Sequence, residues 1–288
     1  MTIYRLETLF PDQLDARIAA NPTVVLSFGT LEWHSFHLPL GLDGLVAQAL
    51  GEQIADRLDA VLAPVSYWAA GGVPYPYTLK FTAPVIEPLL VAIYDGFAEM
   101  GFRTIVAITG HFGLEQTLIL KRAALTVMER SPVTILPLTE YDLVTDAYVG
   151  DHAGIGETSL MWALRPDLIR LDTVTPDTPL DGVQGADPRG QASRERGETL
   201  LRLIADRSAD AARRAESESA LQRAKYVDAL GIGVRVLART FEQRQQLPKS
   251  AVPSVTTPAY IAFCQALAQG NYADAKRHAE RKLANLAE

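Results

Sequence analysis

The sequence predicts an α/β protein with a mostly parallel central sheet and helices on both of its faces. Short apolar runs alternate with longer runs of helical apolar spacing through the first half of the chain. In addition, histidines and carboxylates follow directly after predicted strands, and the carboxyl ends of parallel strands form the ligand-binding edge of such a sheet. The chain has 288 residues, which is enough to bury a substantial core.

The predicted strands are short, apolar and rich in β-branched residues, as buried strands are. They lie at residues 23–28, 61–65, 103–109 and 133–138. The run at 103–109 is the clearest, because Gly101 ends the preceding helical pattern and Gly110 follows the strand at once.

The predicted helices lie at residues 45–58, 84–100, 114–130, 159–164, 191–225, 260–269 and 272–286. The run at 191–225 is expected to be one long charged helix, with the Glu/Arg patterning of a solvated face. Two long loops, 66–83 and 173–190, separate the helices. The first is rich in Gly, Pro and aromatic residues, and it either walls a pocket or is an ordinary surface loop.

Charge and cysteine content restrict the kind of partner and the kind of site. The net charge of −7 argues against a nucleic acid or an anionic membrane as partner. The single cysteine, Cys264, excludes a disulfide framework within the chain and a multi-cysteine zinc site. The charge-free stretches at 60–79 and 250–273 are interrupted by proline, so neither is expected to span a membrane. A cytoplasmic location with no leader peptide is the expectation.

A dense set of metal-ligand types follows the first predicted strand, where Glu32, His34 and Asp43 lie within a dozen residues. Residues two apart on an extended chain point to the same side, so Glu32 and His34 are expected to share one space. Carboxylate and imidazole together suit Zn, Mn or Fe. The alternative is a solvated polar loop, and His111 after the strand at 103–109 favours the metal interpretation.

A second polar loop carries Asp151, His152 and Glu157 and enters a predicted helix. Most histidines of the chain thus follow a predicted strand or precede a helix. A carboxylate such as Asp43, placed between two metals, would allow them to activate a shared water and polarise a carbonyl.

These residues resemble the sequence blocks of the creatininase family. The family block Glu-x-His-x-x-His-Leu-Pro-Leu, with an Asp three residues later, is matched by residues 32–43. A second block, Asn-Gly-His-x-x-Asn, is matched at Gly110 and His111 alone, whereas His-Ala-Gly-x-x-Glu-Thr-Ser is matched in full by residues 152–159. An Arg-Pro-Asp follows at 165–167, so the blocks stand in family order.

The resemblance implies a three-layer α/β/α fold, a site for two divalent metal ions (Zn, Mn or Fe), and a homo-oligomer that is a hexamer or smaller. It implies hydrolysis, by a water between the metals, of a C–N bond in a small, often cyclic, polar substrate. His152, with Asp151 beside it, would transfer protons near the scissile bond. The residues that would carry over as metal ligands are Glu32, His34, Asp43 and His111, with Asp43 bridging.

The chain also departs from the family pattern. Phe112 and Gly113 stand where creatininases carry Tyr and Glu, which argues against creatinine as the substrate. Because Gly113 has no side chain, Glu157 is predicted to supply the missing ligand of the second metal. The alternative role for Glu157 is to complement the dipole of the helix that it begins. The predicted substrate contacts are His37, Phe112, Tyr77 and Trp68.

Three functions remain open on the sequence. The leading one is a metal-dependent amidohydrolase; the second is a hydrolase of a cyclic carbonyl compound, such as an oxidised cyclitol or sugar; the third is a non-catalytic ligand-binding protein. The filled ligand positions argue against the third. Residues 1–250 are expected to form the hydrolase domain, and residues 251–288 a C-terminal helical extension packed on it.

Overall fold

The central sheet is parallel throughout and has five strands in the order β1-β3-β2-β4-β5. The structure is a computed structural model that describes residues 3–177, 179–246 and 256–286. The strands are β1 (Tyr4–Arg5), β2 (Thr23–Phe28), β3 (Val61–Leu62), β4 (Thr104–Thr109) and β5 (Thr134–Thr139). The predicted parallel α/β architecture is therefore confirmed.

The three long strands are buried along their whole length. Helices cover both faces of the sheet, so these strands read as continuous apolar runs with no polar face. The register aligns Phe28 with Thr109, and Thr109 with Thr139. Because the strands end level with one another, the residues that follow them meet at one edge of the sheet.

Two groups of helices enclose the sheet and confirm the three layers. Contacts join α2, α5 and α6 into one group and α3, α4 and α7 into the other. Within the described ranges, no helix combines the length and apolarity needed to cross a bilayer. The helices are α1 (Pro11–Ala20), α2 (Leu42–Leu58), α3 (Ala83–Glu99), α4 (Leu114–Met128), α5 (Ile155–Leu164), α6 (Arg194–Ser217), α7 (Ala220–Gln246), α8 (Pro258–Ala268) and α9 (Tyr272–Leu286).

The prediction of one solvated helix over residues 191–225 is wrong. The chain forms two helices there, α6 and α7, with a break at Glu218. Besides its charged residues, α6 carries a stripe of small and branched side chains that are buried, including Leu200, Ile204 and Ala212. This stripe has helical period and lets α6 pack against α2 and α5.

The last three helices cover the edge of the sheet formed by β5. The hydroxyl of Tyr226 on α7 donates a hydrogen bond of 2.9 Å to the carbonyl oxygen of Ile135 in β5. Helices α8 and α9 pack on each other and on α7, and Phe263 joins the same hydrophobic core as the strands. The carbonyl oxygens of Ile135 and Val133, bonded by Tyr226 and Arg223 of α7, are therefore not free to pair with another strand. The predicted boundary at residue 250 falls outside the described residues, and the division into 1–250 and 251–288 stays a prediction.

Candidate metal centre

The carboxyl edge of the sheet gathers histidines and carboxylates from three loops into one buried cluster. One loop follows β2 and leads into α2, another follows β4, and the third enters α5. None of the residues in the cluster is more than 5% exposed. Its members are the five predicted ligands Glu32, His34, Asp43, His111 and Glu157.

Glycines let the first turn of α2 rest directly on the strand ends. A Cβ atom on Gly110, after β4, would lie 2.2 Å from the carbonyl oxygen of Asp43. A Cβ atom on Gly29, after β2, would lie 2.2 Å from the backbone nitrogen of Gly44. No side chain fits at either place, so glycine is required for the close approach. Asp43 is thereby held between the ends of two neighbouring strands.

The cluster consists of two groups of potential ligands that share Asp43. In one group Glu32, Asp43 and His111 each present a ligand atom, and in the other His34, Asp43 and Glu157 do so, with all atoms of a group within 4.8 Å of one another. The Oδ1 atom of Asp43 lies 2.9 Å from Nε2 of His34, and its Oδ2 atom lies 3.3 Å from Nδ1 of His111. Asp43 thus faces each group with a different oxygen, as a bridging carboxylate does.

Backbone carbonyls orient both histidines. The Nδ1 atom of His34 lies 3.0 Å from the carbonyl oxygen of Glu32, and Nε2 of His111 lies 3.2 Å from that of Ala70. Each of these ring nitrogens donates its proton to the carbonyl. In the neutral ring the other nitrogen then carries a lone pair, and that nitrogen faces the carboxylates. Metal-binding histidines in proteins are commonly fixed in this way.

The residues present fit a pair of metal ions. With both histidine rings neutral, the Nε2 atom of His34, Oε2 of Glu32 and Oδ2 of Asp43 are buried and have no hydrogen-bond partner among the described residues, although Oε2 of Glu32 lies only 2.8 Å from Nδ1 of His111. A nitrogen lone pair 2.9 Å from a carboxylate oxygen is repulsive unless a proton or a metal cation lies between them. Without a cation, so many buried carboxylates would also be costly. Imidazole nitrogen and carboxylate oxygen are the donor set of Zn, Mn and Fe.

The charges within the cluster show which groups hold protons when no metal is bound. Burial lowers the pKa of His111, but the carboxylates of Glu32 and Asp43 outweigh burial and raise it to about 10. Burial raises the pKa of Glu157 well above its ordinary value, and the charge of Asp43 raises it further. A metal ion entering the cluster would therefore displace protons from these groups.

Glu157 lies in the first turn of α5 with its carboxylate directed at the cluster. Its Oε2 atom lies 3.6 Å from Nε2 of His34 and accepts a hydrogen bond of 2.6 Å from the backbone N–H of Ala153. The first turn of α5 is satisfied by Asp151, whose Oδ2 atom accepts from the N–H of Gly156 at 2.6 Å and whose Oδ1 atom accepts from the N–H of Glu157 at 3.0 Å. These contacts favour the ligand role predicted for Glu157 over a helix-terminus role.

Replacing Glu157 by Gln is expected to remove about one of two metal equivalents and most of the activity, with little change in fold. Gln has the shape of the protonated acid but binds a divalent ion poorly. Elemental analysis of the purified variant measures the metal. Glu115→Gln is the matched control, because Glu115 lines the neighbouring cleft and belongs to neither ligand group. Two tightly held metals in Glu157→Gln would show that another residue holds the second ion.

His152 stacks on a potential metal ligand. Its ring lies 4.3 Å from that of His34, and its Nε2 atom donates to the carbonyl oxygen of Trp33 at 2.9 Å. Burial and the nearby charge of His34 lower the pKa of His152 to about 4, so its ring is neutral at neutral pH. His152 also forms a third close group with Glu32 and His34, which gives it a second potential role as a ligand.

The backbone is strained beside both of these histidines. Ser35 follows His34 with a φ of 58°, and Ala153 follows His152 with a φ of 52°. A non-glycine residue in this left-handed region costs about 1–3 kcal/mol, and such residues collect at functional sites. Each of these turns immediately follows a histidine and so fixes the direction in which its ring points.

The cluster opens into a cleft of about 660 Å³, a volume suited to a small molecule. Residues 70–74 form part of its wall, so of the two roles considered for the loop 66–83, this segment has that of lining a pocket. Phe112, a predicted substrate contact, lines the cleft and packs edge-to-face on Tyr141 with ring centres 5.5 Å apart. Gln184 lines it too, and its backbone exchanges two hydrogen bonds with that of His152.

The other predicted substrate contacts lie outside the cleft wall. His37 is fully buried, with its Nε2 atom 3.0 Å from the hydroxyl of Thr158. Trp68 and Tyr77 are 48% and 65% exposed and belong to the outer parts of their loop. The loop reverses at residues 71–72, two glycines with positive φ, which brings only its middle to the cleft. The positions of His37, Trp68 and Tyr77 therefore argue against the substrate contacts predicted for them.

Glu140 and Gln184 also belong to the site, and they were not predicted from the sequence. Glu140 follows β5 at the same edge of the sheet, fully buried, and its carboxylate oxygens have no hydrogen-bond partner among the described residues. Burial raises its pKa well above the ordinary value, and Asp43 and Asp151 raise it further. Its place after a strand is a signal that the sequence contains. Gln184 lies in the loop 173–190, and no sequence pattern marks it.

The fold and the cluster together define the class: a parallel α/β protein with a carboxylate–histidine centre at the carboxyl edge of its sheet. The chain belongs to the creatininase family, since the family model described as creatinine amidohydrolase matches residues 8–212, well over half of its length. Members of this family are amidohydrolases, and the chain is a hydrolase of the family.

Relatives of the chain act on different substrates. It is 27% identical to a creatinine amidohydrolase of Pseudomonas putida over 70% of this chain and 93% of that protein. It is 32% identical to a mycofactocin precursor peptide peptidase of Mycolicibacterium smegmatis over 52% of this chain and 61% of that one. A 3-dehydro-scyllo-inosose hydrolase of Thermotoga maritima is 25% identical over 69% of this chain and 67% of its own length.

Solved structures of creatininase share the fold. A crystal structure of creatinine amidohydrolase matches with a TM-score of 0.64 and 24% identity, over 76% of this chain and all of the other. A manganese form matches with a TM-score of 0.64, and a variant described as Zn-Zn type with a TM-score of 0.63, each at 24% identity; they match over 75% and 76% of this chain and all of theirs.

Proposed function

We propose that this chain is a metal-dependent hydrolase that cleaves an amide-type C–N bond in a small, polar, cyclic substrate. One observation carries the proposal: two groups of buried ligands share the carboxylate of Asp43 and open into a cleft. Two divalent ions, Zn, Mn or Fe, are proposed to occupy these groups. The Zn-Zn and manganese forms of creatininase support this choice of metal.

When bound, such ions would polarise a carbonyl oxygen and lower the pKa of a water molecule. The chain supplies the remaining parts. His152, neutral and beside the cluster, can accept a proton and return it to a leaving nitrogen. Asp151 binds the first turn of α5 through both carboxylate oxygens, which favours a positioning role for it over proton transfer. Phe112 offers an apolar wall for the substrate.

The alternative substrate is a cyclic carbonyl compound, such as an oxidised cyclitol or sugar. The similarity to the inosose hydrolase supports this alternative. Creatinine itself is disfavoured, because Gly113 leaves the block around His111 without the carboxylate of creatininases. A non-catalytic ligand-binding role is the least supported, since every proposed ligand position carries a residue able to bind metal. A cytoplasmic location remains a prediction.

A hydrolysis screen tests the proposal. Lactams, formamides, cyclic ureides and oxidised cyclitols would be offered to the metal-supplied protein, with Asp43→Asn as the inactive control because Asp43 belongs to both ligand groups. We expect cleavage of at least one C–N compound that depends on Asp43. Cleavage of the oxidised cyclitols alone would establish the alternative substrate. Metal binding without cleavage of any compound would contradict the amidohydrolase proposal.

We also propose that the chain forms a homo-oligomer, a hexamer or smaller. Trp68, Tyr77 and Leu79 of the loop 66–83 are between 42% and 65% exposed, and exposed aromatic side chains of this kind are typical of interfaces. Light scattering at micromolar concentration is expected to show an oligomer, and Trp68→Ser with Tyr77→Ser is expected to weaken it. A monomeric parent protein would contradict the prediction.

A further inference from the structure

The far end of α7 reaches the cleft that holds the metal centre. Leu237 and Arg244 of α7 line this cleft together with Glu32, and Thr256 joins them from the segment before α8. Leu237 and Arg244 are seven residues apart, which places them on the same face of the helix two turns from each other. One face of α7 therefore forms part of the cleft wall.

This part of the wall lies beyond the segment that identifies the family. The family model ends at residue 212, before α7 begins at Ala220. The metal-ligand groups all lie within the matched segment. Residues of α7 that enter the cleft can therefore give this chain a substrate preference that the shared core does not determine.

Arg244 differs in charge from the rest of the cleft. It is the only Lys or Arg among the described residues that line the cleft, where the other ionisable side chains include Glu32, Glu115, Asp151 and Glu157. Its Nε atom is buried without a hydrogen-bond partner, and within the described ranges no carboxylate lies within ion-pair distance of its guanidinium. Arg239, on the same helix, is by contrast paired with Glu242 at 3.4 Å.

Helix α9 packs against α7, the helix that carries Arg244. The side-chain amide of Gln243 donates a hydrogen bond of 2.7 Å to the carbonyl oxygen of Leu286, which ties the end of α7 to the end of α9. Lys282 of α9 is buried nearby; burial lowers its pKa, and the charge of Arg244 lowers it further. Arg244 is thus held at the cleft wall by the packing of α7 on α9.

We propose that Arg244 binds an anionic group of the substrate, a carboxylate or a phosphate, in the cleft that contains the metal centre. The substrate class is then a small compound with a C–N bond for the metal centre and an anionic group for Arg244. This inference rests on the proposed hydrolase function. A guanidinium suits the role because its planar fork donates two parallel hydrogen bonds to either kind of anion.

N-formyl amines with linkers of graded length test the inference. Each linker ends in a carboxylate, a phosphate or a neutral carboxamide, so that compounds of equal length differ in charge alone. Binding to the metal-loaded protein is measured by the shift in melting temperature over a concentration series. Cleavage of the formyl C–N bond is measured as kcat/KM. The variants are Arg244→Gln, Arg244→Lys and Arg239→Gln, the last as a matched loss of charge from the same helix outside the cleft.

For one linker length, the parent protein is expected to bind an anionic compound at least about 10-fold more tightly than its neutral counterpart, as charge-assisted hydrogen bonds allow. Arg244→Gln should reduce this preference to about threefold or less with metal content unchanged. Arg244→Lys should restore part of it, and Arg239→Gln should keep all of it. Whether the carboxylate or the phosphate series shows the effect identifies the anion.

Several results would overturn the inference. They are equal binding of charged and neutral compounds, no binding of any compound, and a preference that survives in Arg244→Gln. Cleavage of neutral formamides without a preference for anions would remove the role of Arg244 and leave the proposed hydrolase intact. Binding of anions that depends on Arg244, without cleavage, would support the inference and contradict the proposed amide hydrolysis.

Discussion

Removal of metal with a chelator is expected to abolish hydrolysis and to lower the melting temperature by roughly 5–10 °C, the shift that corresponds to a few kcal/mol in a chain of this size. The loss of activity is expected because, without the ions, nothing in the cluster polarises a carbonyl oxygen or lowers the pKa of a water molecule as a metal ion does. The loss of stability is expected because bound metal favours the folded state by mass action. Activity assays and thermal unfolding before and after chelation measure the two effects.

The effect of chelation on stability is expected to grow with pH. Without metal, the folded-state pKa of His111 is about 10, above the ordinary value of 6.5. Protonation of His111 therefore stabilises the metal-free fold fully below pH 6.5, and this stability is lost as pH rises through 10. The raised pKa of Glu157 acts in the same direction. The melting temperatures of metal-loaded and chelated protein should thus separate further between pH 6.5 and 8.5.

Readdition of Zn, Mn or Fe to the chelated sample is the control, and it should restore both activity and melting temperature. Asp43→Asn should resemble the chelated protein and respond little to added metal, because Asp43 belongs to both ligand groups. Full activity and an unchanged melting temperature after verified metal removal would show that the protein does not depend on metal.

His152→Ala is expected to lower turnover by roughly 100- to 10,000-fold, which is the usual contribution of a general acid–base group. Its metal content is expected to stay near normal. The reason is that the His152 ring lies against that of His34 yet donates to a backbone carbonyl outside the ligand groups. With a pKa near 4, the ring is ready to accept a proton across the neutral range. Steady-state kinetics and elemental analysis of one preparation measure both quantities.

The pH profile distinguishes proton transfer from a structural role of His152. In the parent protein, activity should fall as pH decreases toward 4, where the ring becomes protonated. His152→Ala should lack this fall in its residual activity. His278→Ala serves as the control and should behave as the parent does, because His278 lies on α9 and belongs neither to the cleft wall nor to a ligand group. Loss of a full metal equivalent in His152→Ala would show that His152 is a ligand.

The sequence predicts most of the fold because, along the first half of the chain, the spacing of apolar residues agrees with the glycines and prolines that end each strand or helix. The strand at 23–28 and the helix that begins at Leu114 lie where they are predicted. A strand buried on both faces gives a nearly continuous apolar run, which the sequence shows there. The prediction for residues 191–225 failed because the many charged residues there obscure, in the sequence, a stripe of small residues that is buried in the fold. The turn at Glu218 has no glycine or proline to mark it.

The candidate site is predictable to the extent that its residues follow strands. Glu32 and His111 lie in the loops that follow β2 and β4, and the edge of a parallel sheet brings them together. Residues that reach the site by packing leave no such pattern. Arg244 is one example, because only the position of α7 on the folded sheet brings it to the cleft. His37 is the converse: it lies within a sequence block of the site, but it is fully buried against Thr158, next to the ligand Glu157, and does not line the cleft.

The contact of Gly29 and Gly110 with the start of α2 bears on how such an enzyme can evolve. Because the backbone of Asp43 rests on the ends of two hydrogen-bonded strands, the sheet sets the position of the residue that both ligand groups share. Substitutions in the outer parts of the loops and in α7 leave that position unchanged. Substrate range can drift there while the reaction stays constant, which accounts for one scaffold serving relatives with unlike substrates.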